Sequence, residues 1–206
     1  MTSEGVLLRA SGLACDRGGQ RVCSEQDLAL APGEAVWLRG RNGSGKTSLL
    51  RVLAGLAAPQ EGELWRAPGL RTLYIGHANA LKDDLTVVEN LGFLARLCGL
   101  DTSSNRHEQA LRQWGLWSRR HRPARTLSQG LRRRVALARL ALAEHQPLWL
   151  LDEPFDALDD EGVHQLRIGL EHHRARGGAC VLTSHLVWAA DQRPRREHWL
   201  QGDDAS

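Results

Sequence analysis

Residues 40–47 read Gly-Arg-Asn-Gly-Ser-Gly-Lys-Thr, which fits the spacing G-x-x-x-x-G-K-[ST]. This stretch limits the fold more tightly than any other in the chain. Its glycines free the backbone from side-chain constraint, so that successive N–H groups can converge on phosphate oxygens. Such a loop needs a strand before it and a helix after it. "GEAVWLRG" (33–40) is a short apolar run ending in the loop, and "TSLLRVLAGL" places Leu49, Leu50, Leu53 and Leu56 near helical spacing. The alternative, a glycine-rich turn without a ligand, does not account for that context.

The loop predicts a nucleotide site built from Gly40, Arg41, Asn42, Gly43, Ser44, Gly45, Lys46, Thr47 and Ser48. Lys46 is expected on the β and γ phosphates of ATP, and the Thr47 hydroxyl on Mg²⁺. The helix that follows adds a favourable partial charge.

Elsewhere the periods alternate. Residues 5–30 hold short apolar stretches broken by "DRGGQR" and read as antiparallel strands with a turn at Gly18-Gly19, and "APGE" reads as a turn. "LRTLYIG" (70–76), "LWLLD" (148–152) and "ACVLTSH" (179–185) read as strands. "TVVENLGFLARLCGL", "HEQALRQWGL" and a long "SQGLRRRVALARLALAE" (128–144) read as helices, with Ser103 or Ser104 capping the second. Continuous apolar strands alternating with helices predict a parallel sheet covered on both faces. The expected organisation is α/β: a core holding about 1–79 and 146–206, with an antiparallel β part, and a helical subdomain over about 80–145. The tail "QGDDAS" is expected to be disordered.

Two further elements carry chemistry. "LWLLDEP" delivers Asp152 and Glu153 at the carboxyl end of an apolar strand, where ligands sit in open α/β sheets. Asp152 suits Mg²⁺, through water, and Glu153 suits polarising an attacking water. Taken alone, the pair also reads as a helix cap. "TLSQGL" puts Ser128 and Gly130 at a helix start, which is either an anion site or an ordinary N-cap at Ser128.

The 206 residues suit one domain, or a core with a modest subdomain. A net charge of +3 is too small to argue for nucleic acid. No apolar run approaches the roughly 18 residues that span a bilayer, and no secretory signal is expected at the N-terminus. The four cysteines form no C-x-x-C pair and fit a reducing cytosol.

In order along the chain, Gly40–Ser48, Leu127-Ser128-Gln129-Gly130, Leu151-Asp152-Glu153-Pro154, "DALD" (156–159) and Thr183-Ser184-His185 resemble the nucleotide-binding subunit of ABC transporters, a phosphate-loop ATPase fold. The resemblance implies a head-to-tail dimer with a second copy of the chain. Ser128, Gln129 and Gly130 would close over the γ-phosphate held by the other copy, Asp159 would sit at the shared seam, and His185 would steady the water near Glu153. It also implies integral membrane subunits as partners and a peripheral position at the cytoplasmic face of the bacterial inner membrane. "GHANALKDDLTVVENL" and "LSQGLRRRVALARLAL" are similar to the ATP-binding subunits of cytochrome c maturation haem exporters, which implies ATP-driven release of a haem-loaded chaperone.

The chain departs from the family pattern in three places. Leu131 stands where the signature usually has Gln, which predicts weaker contact across the dimer. His77 stands at about the place of a sensor Gln and is expected to couple to the membrane subunit. No aromatic residue is at hand to stack on adenine, so Arg17 is expected to substitute. Rival readings are another small ABC importer or exporter subunit, a soluble ABC-type ATPase, and a small-molecule kinase.

Overall fold

The computed structural model describes residues 5–185 and 196–200. The tail 201–206 lies outside the described residues. The chain divides into two compact units, Met1–Gly76 with Gln146–Glu153 and His173–Ser206, and His77–His145 with Pro154–His172.

In the first unit, β1 (Leu8–Arg17), β2 (Gln20–Leu30) and β4 (Glu61–Arg66) form an antiparallel sheet in the order β2-β1-β4. The turn between β1 and β2 is Gly18-Gly19, with φ of 63° and 82°. Both angles are positive, as a two-residue hairpin following the twist of its strands requires. The second sheet is parallel, in the order β5-β6-β7-β3-β8, from β3 (Ala35–Arg39), β5 (Thr72–Ile75), β6 (Leu148–Leu151), β7 (Ala179–Thr183) and β8 (Arg196–Trp199). Every residue of β6 and β7 is buried, as their unbroken apolar runs require. Helix α1 (Lys46–Leu53) buries Leu49, Leu50, Val52 and Leu53 in a core shared with Leu8, Leu30, Val36, Leu38, Leu150 and Val181. Strands β4 and β8 were not read from the sequence. Both are edge strands of mixed polarity, whose pairing is decided by their neighbours.

The second unit contains α2 (Val87–Leu97), α3 (Ser104–Gln113), α4 (Gln129–Leu137) and most of α5 (Asp160–Ala175). Helix α2 starts with a reciprocal cap: Glu89 N–H donates to the Thr86 hydroxyl, and Thr86 N–H donates to the Glu89 carboxylate at 2.8 Å. At α3, Ser103 occupies the N-cap position but its side chain makes no cap hydrogen bond.

The single helix expected over 128–144 is corrected. Helix α4 ends at Leu137 and the chain continues as a 3₁₀ turn, Ala138–Leu142. Arg139 Nε donates to the Ala136 carbonyl at 2.9 Å, the group a continuing α-helix would offer to the Leu140 N–H. Residues 154–172, placed with the core by the sequence reading, group with the helices. Arginines of α4 tie them there: Arg133 Nε donates to Pro154 O at 3.4 Å, and Arg134 pairs with Asp159 and Glu161.

Candidate nucleotide site

The adjacent strands β6, β7 and β3 end at the same edge of the parallel sheet. Their carboxyl ends deliver Asp152, Thr183 and Gly40, so the topology gathers residues that lie more than a hundred positions apart. Gly40, Gly43 and Gly45 have φ of 153°, 85° and 87°. A Cβ on Gly40 would collide with the Ser44 side chain, and one on Gly45 would lie 3.0 Å from Val22 Cγ2 and 3.2 Å from the Cβ of Cys23. The loop is thus folded against β2, and glycine is required at both positions.

Lys46 Nζ donates to Gly40 O at 2.8 Å and Arg41 O at 3.0 Å, so its ammonium lies over the loop's own backbone. Arg41, Asn42 and Gly43 are exposed and Ser48 is half-buried. Ser44 is buried, and its Oγ has no hydrogen-bond partner among the described residues. An orphaned hydroxyl beneath a cradle of positive-φ glycines, a loop-bound ammonium and the open N–H groups of a helix start fit a polyphosphate.

Thr47 Oγ1 donates to Asp152 Oδ2 at 2.8 Å. A hydroxyl and a carboxylate, both hard oxygen donors, fit Mg²⁺, which takes few protein ligands and completes its shell with water and phosphate. Glu153 adopts φ 46°, a left-handed backbone rare outside glycine, and is 8% exposed. Its carboxylate accepts from the His185 N–H at 3.1 Å, while His185 Nε2 lies 3.2 Å from the other oxygen. Of the sequence-predicted residues, the structure brings Thr47, Asp152, Glu153 and His185 into this connected set. Arg17 is exposed at the end of β1, opposite Gln20.

In the second unit, Ser128 is the N-cap of α4, its Oγ accepting from Leu131 N–H at 3.3 Å, so the N-cap reading of this residue holds. Gln129 is exposed. Gly130 packs against the loop before α5, where a Cβ would stand 2.7 Å from the Ala157 carbonyl. Asp159 accepts from the Gly162 N–H at 3.0 Å and pairs with Arg134, whose guanidinium holds its carboxyl below the usual range. His77 Nδ1 lies 3.6 Å from Asp156 Oδ2, with both side chains largely solvated.

Three residues here had no role in the sequence reading. Arg133, only 2% exposed, donates to the His77 carbonyl at 3.4 Å and to Asn79 Oδ1 at 3.2 Å. Asn90, fully buried, accepts from the Lys82 N–H, and its two amide protons are shared among the carbonyls of Lys82, Leu85 and Thr86, each 3.0 Å away, fixing the loop beyond His77. Thr183 links Asp152 to Glu153. In sequence Arg133 is one of three adjacent arginines, and Thr183 closes an apolar strand in the motif Thr183-Ser184-His185, which points to the histidine and gives the threonine no task of its own.

Comparisons with known proteins bear on the family and the fold. The ABC transporter family matches residues 23–156. The cytochrome c biogenesis ATP-binding export protein CcmA of Cupriavidus necator is 49% identical over 191 residues, covering 88% of this chain and 84% of that protein. The protein of the same name from Nitrosomonas europaea is 45% identical, with 87% and 88% covered. A solved ATP-binding subunit of an ABC transporter superposes with a TM-score of 0.81 at 28% identity, covering 94% of this chain and 85% of that one. A dimeric ATP-binding cassette in a post-hydrolysis state with ADP and Pi has the same fold, with a TM-score of 0.81 at 23% identity. The chain therefore belongs to the ABC transporter family of ATPases, and within it to the cytochrome c biogenesis ATP-binding export proteins.

Proposed function

We propose that this ATPase works as a pair of identical chains on integral membrane subunits of a haem exporter for cytochrome c maturation, with hydrolysis driving release of a haem-loaded chaperone. The export role rests on relatives that carry the name cytochrome c biogenesis ATP-binding export protein at 43–49% identity. Among the described residues no helix is long and apolar enough to cross a membrane. In this reading the chain docks at the cytoplasmic face of its integral membrane partners.

The observation that carries the chemistry is the linked set Thr47–Asp152 and Glu153–His185 at the edge of the sheet that bears the phosphate loop. In this reading Gly40–Ser48 wrap the phosphates and Lys46 neutralises them. Thr47 and Asp152 hold Mg²⁺, which when bound offsets charge on the phosphate oxygens. Glu153 polarises the attacking water and His185 orients it. Ser128, Gln129 and Gly130 of the second copy close the γ-phosphate side, Asp159 lines the seam, Arg17 stacks on adenine, and His77 couples to the membrane subunit.

The test is Glu153→Gln, which keeps shape and removes charge. Hydrolysis is expected to fall roughly 10²–10⁴-fold, the range for losing acid–base help. ATP then persists and holds two copies together, so the variant is expected to elute as an ATP-dependent dimer in size-exclusion chromatography, with the membrane subunits present. Adding Ser128→Arg is expected to dissolve that dimer while each chain still binds ATP. A double variant that stays dimeric with ATP refutes the two-copy site.

A further inference from the structure

We infer that Thr183 is a positioning residue that sets the geometry of both site carboxylates at once. The inference rests on the assignment of Asp152 to Mg²⁺ and Glu153 to the water, and extends it to a side chain that touches neither ligand.

Thr183 is the last residue of β7 and is fully buried. Its hydroxyl is used in both directions. Oγ1 accepts the Glu153 N–H at 2.7 Å and donates its own proton to Asp152 Oδ1 at 2.9 Å. The other oxygen of Asp152 accepts from Thr47 at 2.8 Å. One chain of hydrogen bonds therefore runs from the Glu153 backbone through Thr183 and Asp152 to the phosphate-loop hydroxyl. The direction is fixed: the Glu153 N–H can only donate, which leaves the Thr183 proton for Asp152.

The link does mechanical work on two residues. Thr183 and Thr47 each bond one oxygen of Asp152, which sets the turn of its carboxylate. Glu153 sits at φ 46°, a conformation that costs a non-glycine residue free energy unless its surroundings enforce it. The bond from its N–H to a buried hydroxyl is such an enforcement, and it aims the side chain at His185, two residues beyond Thr183 on the same segment. A valine at 183 would fill the same volume with no hydroxyl. It would leave a buried N–H and a carboxylate oxygen without this partner and let the pair turn.

The experiment compares Thr183→Val, Thr183→Ser and the parent full chain, with Asp152→Asn as the control. Binding of a fluorescent ATP analogue is titrated without metal and then with Mg²⁺, and hydrolysis is followed separately as kcat and KM. For Thr183→Val the metal-free affinity is expected to match the parent. The Mg²⁺ concentration for half-effect is expected to rise about tenfold and kcat to drop 10–100-fold with little change in KM, the range for losing a residue that orients a metal ligand. Thr183→Ser restores the hydroxyl and is expected to recover both within about threefold of the parent. Should Thr183→Val not fold, Thr183→Ala, which also lacks any donor or acceptor, takes its place. Parent-like Mg²⁺ dependence and kcat in either variant, or a Ser variant as impaired as Val, overturns the role of Thr183. If Asp152→Asn itself keeps the parent's Mg²⁺ dependence, the metal assignment fails instead, and the two failures are told apart.

Discussion

His173 supplies a prediction whose size follows from its surroundings. It lies on α5, is 2% exposed and stacks on Trp149 with ring centroids 3.8 Å apart and planes 8° from parallel. Gly178 leaves the room, since a Cβ there would collide with the imidazole. Burial pushes the His173 pKa down from 6.5 to about 4, against an opposing hydrogen bond between Nε2 and the Ala179 carbonyl at 3.2 Å. The folded state thus resists a proton that the unfolded chain accepts. A depressed histidine leaves stability intact above its unfolded pKa of 6.5, and stability is lost as pH falls from there toward 4. Between pH 7 and pH 5 the loss from this one site comes to about 2 kcal/mol by proton linkage. The perturbation is His173→Phe, which keeps an aromatic ring over Trp149 and cannot titrate. Urea unfolding followed by tryptophan fluorescence at both pH values gives the loss in stability for each protein. The absolute stabilities will differ because the variant lacks the bond to Ala179, so the comparison is between the two pH dependences. The variant is expected to lose about 2 kcal/mol less than the parent. Equal losses would show that His173 takes up its proton in the folded state as readily as in the unfolded one, and would refute the reasoning.

Two further outcomes are expected. Lys46→Ala removes the ammonium that lies over the loop carbonyls and should weaken ATP binding at least about tenfold, on the order of 1.4 kcal/mol, by calorimetry; unchanged affinity would contradict the phosphate assignment. His77→Ala should leave Mg²⁺-dependent ATP binding nearly intact but lower the stimulation of hydrolysis by membrane subunits, because the His77 side chain is largely solvated beside Asp156; a large loss of Mg²⁺ affinity would make it a metal-site residue.

Local sequence determined a good part of this protein. The glycine spacing at 40–47 needs no tertiary partner to declare a phosphate loop, because glycine adopts the positive φ of residues 43 and 45 without the steric cost that a Cβ brings. The apolar runs at 148–151 and 179–183 announced central parallel strands, since unbroken burial on both faces leaves no polar positions to alternate. The order of motifs along the chain suffices to mark the family.

Other features depend on neighbours that sequence does not identify. Strands β4 and β8 exist because β1 and β3 offer edges to pair with, and their own residues carry no strong period. Helix α4 stops at Leu137, inside an apolar pattern that continues, with the Arg139 side chain bonded to the carbonyl of Ala136. The α4 arginines read as one charged run, yet they divide by what surrounds them: Arg132 pairs with Asp83 at the surface, Arg133 is buried against carbonyls, and Arg134 holds Asp159 and Glu161. Thr183 looks like one more β-branched strand residue. Its hydroxyl acquires meaning only because the sheet order sets β7 beside β6 and brings it to Asp152, 31 positions away. Hydrogen bonds of that reach are decided by strand adjacency, a property of the folded sheet that no local pattern of residue types encodes.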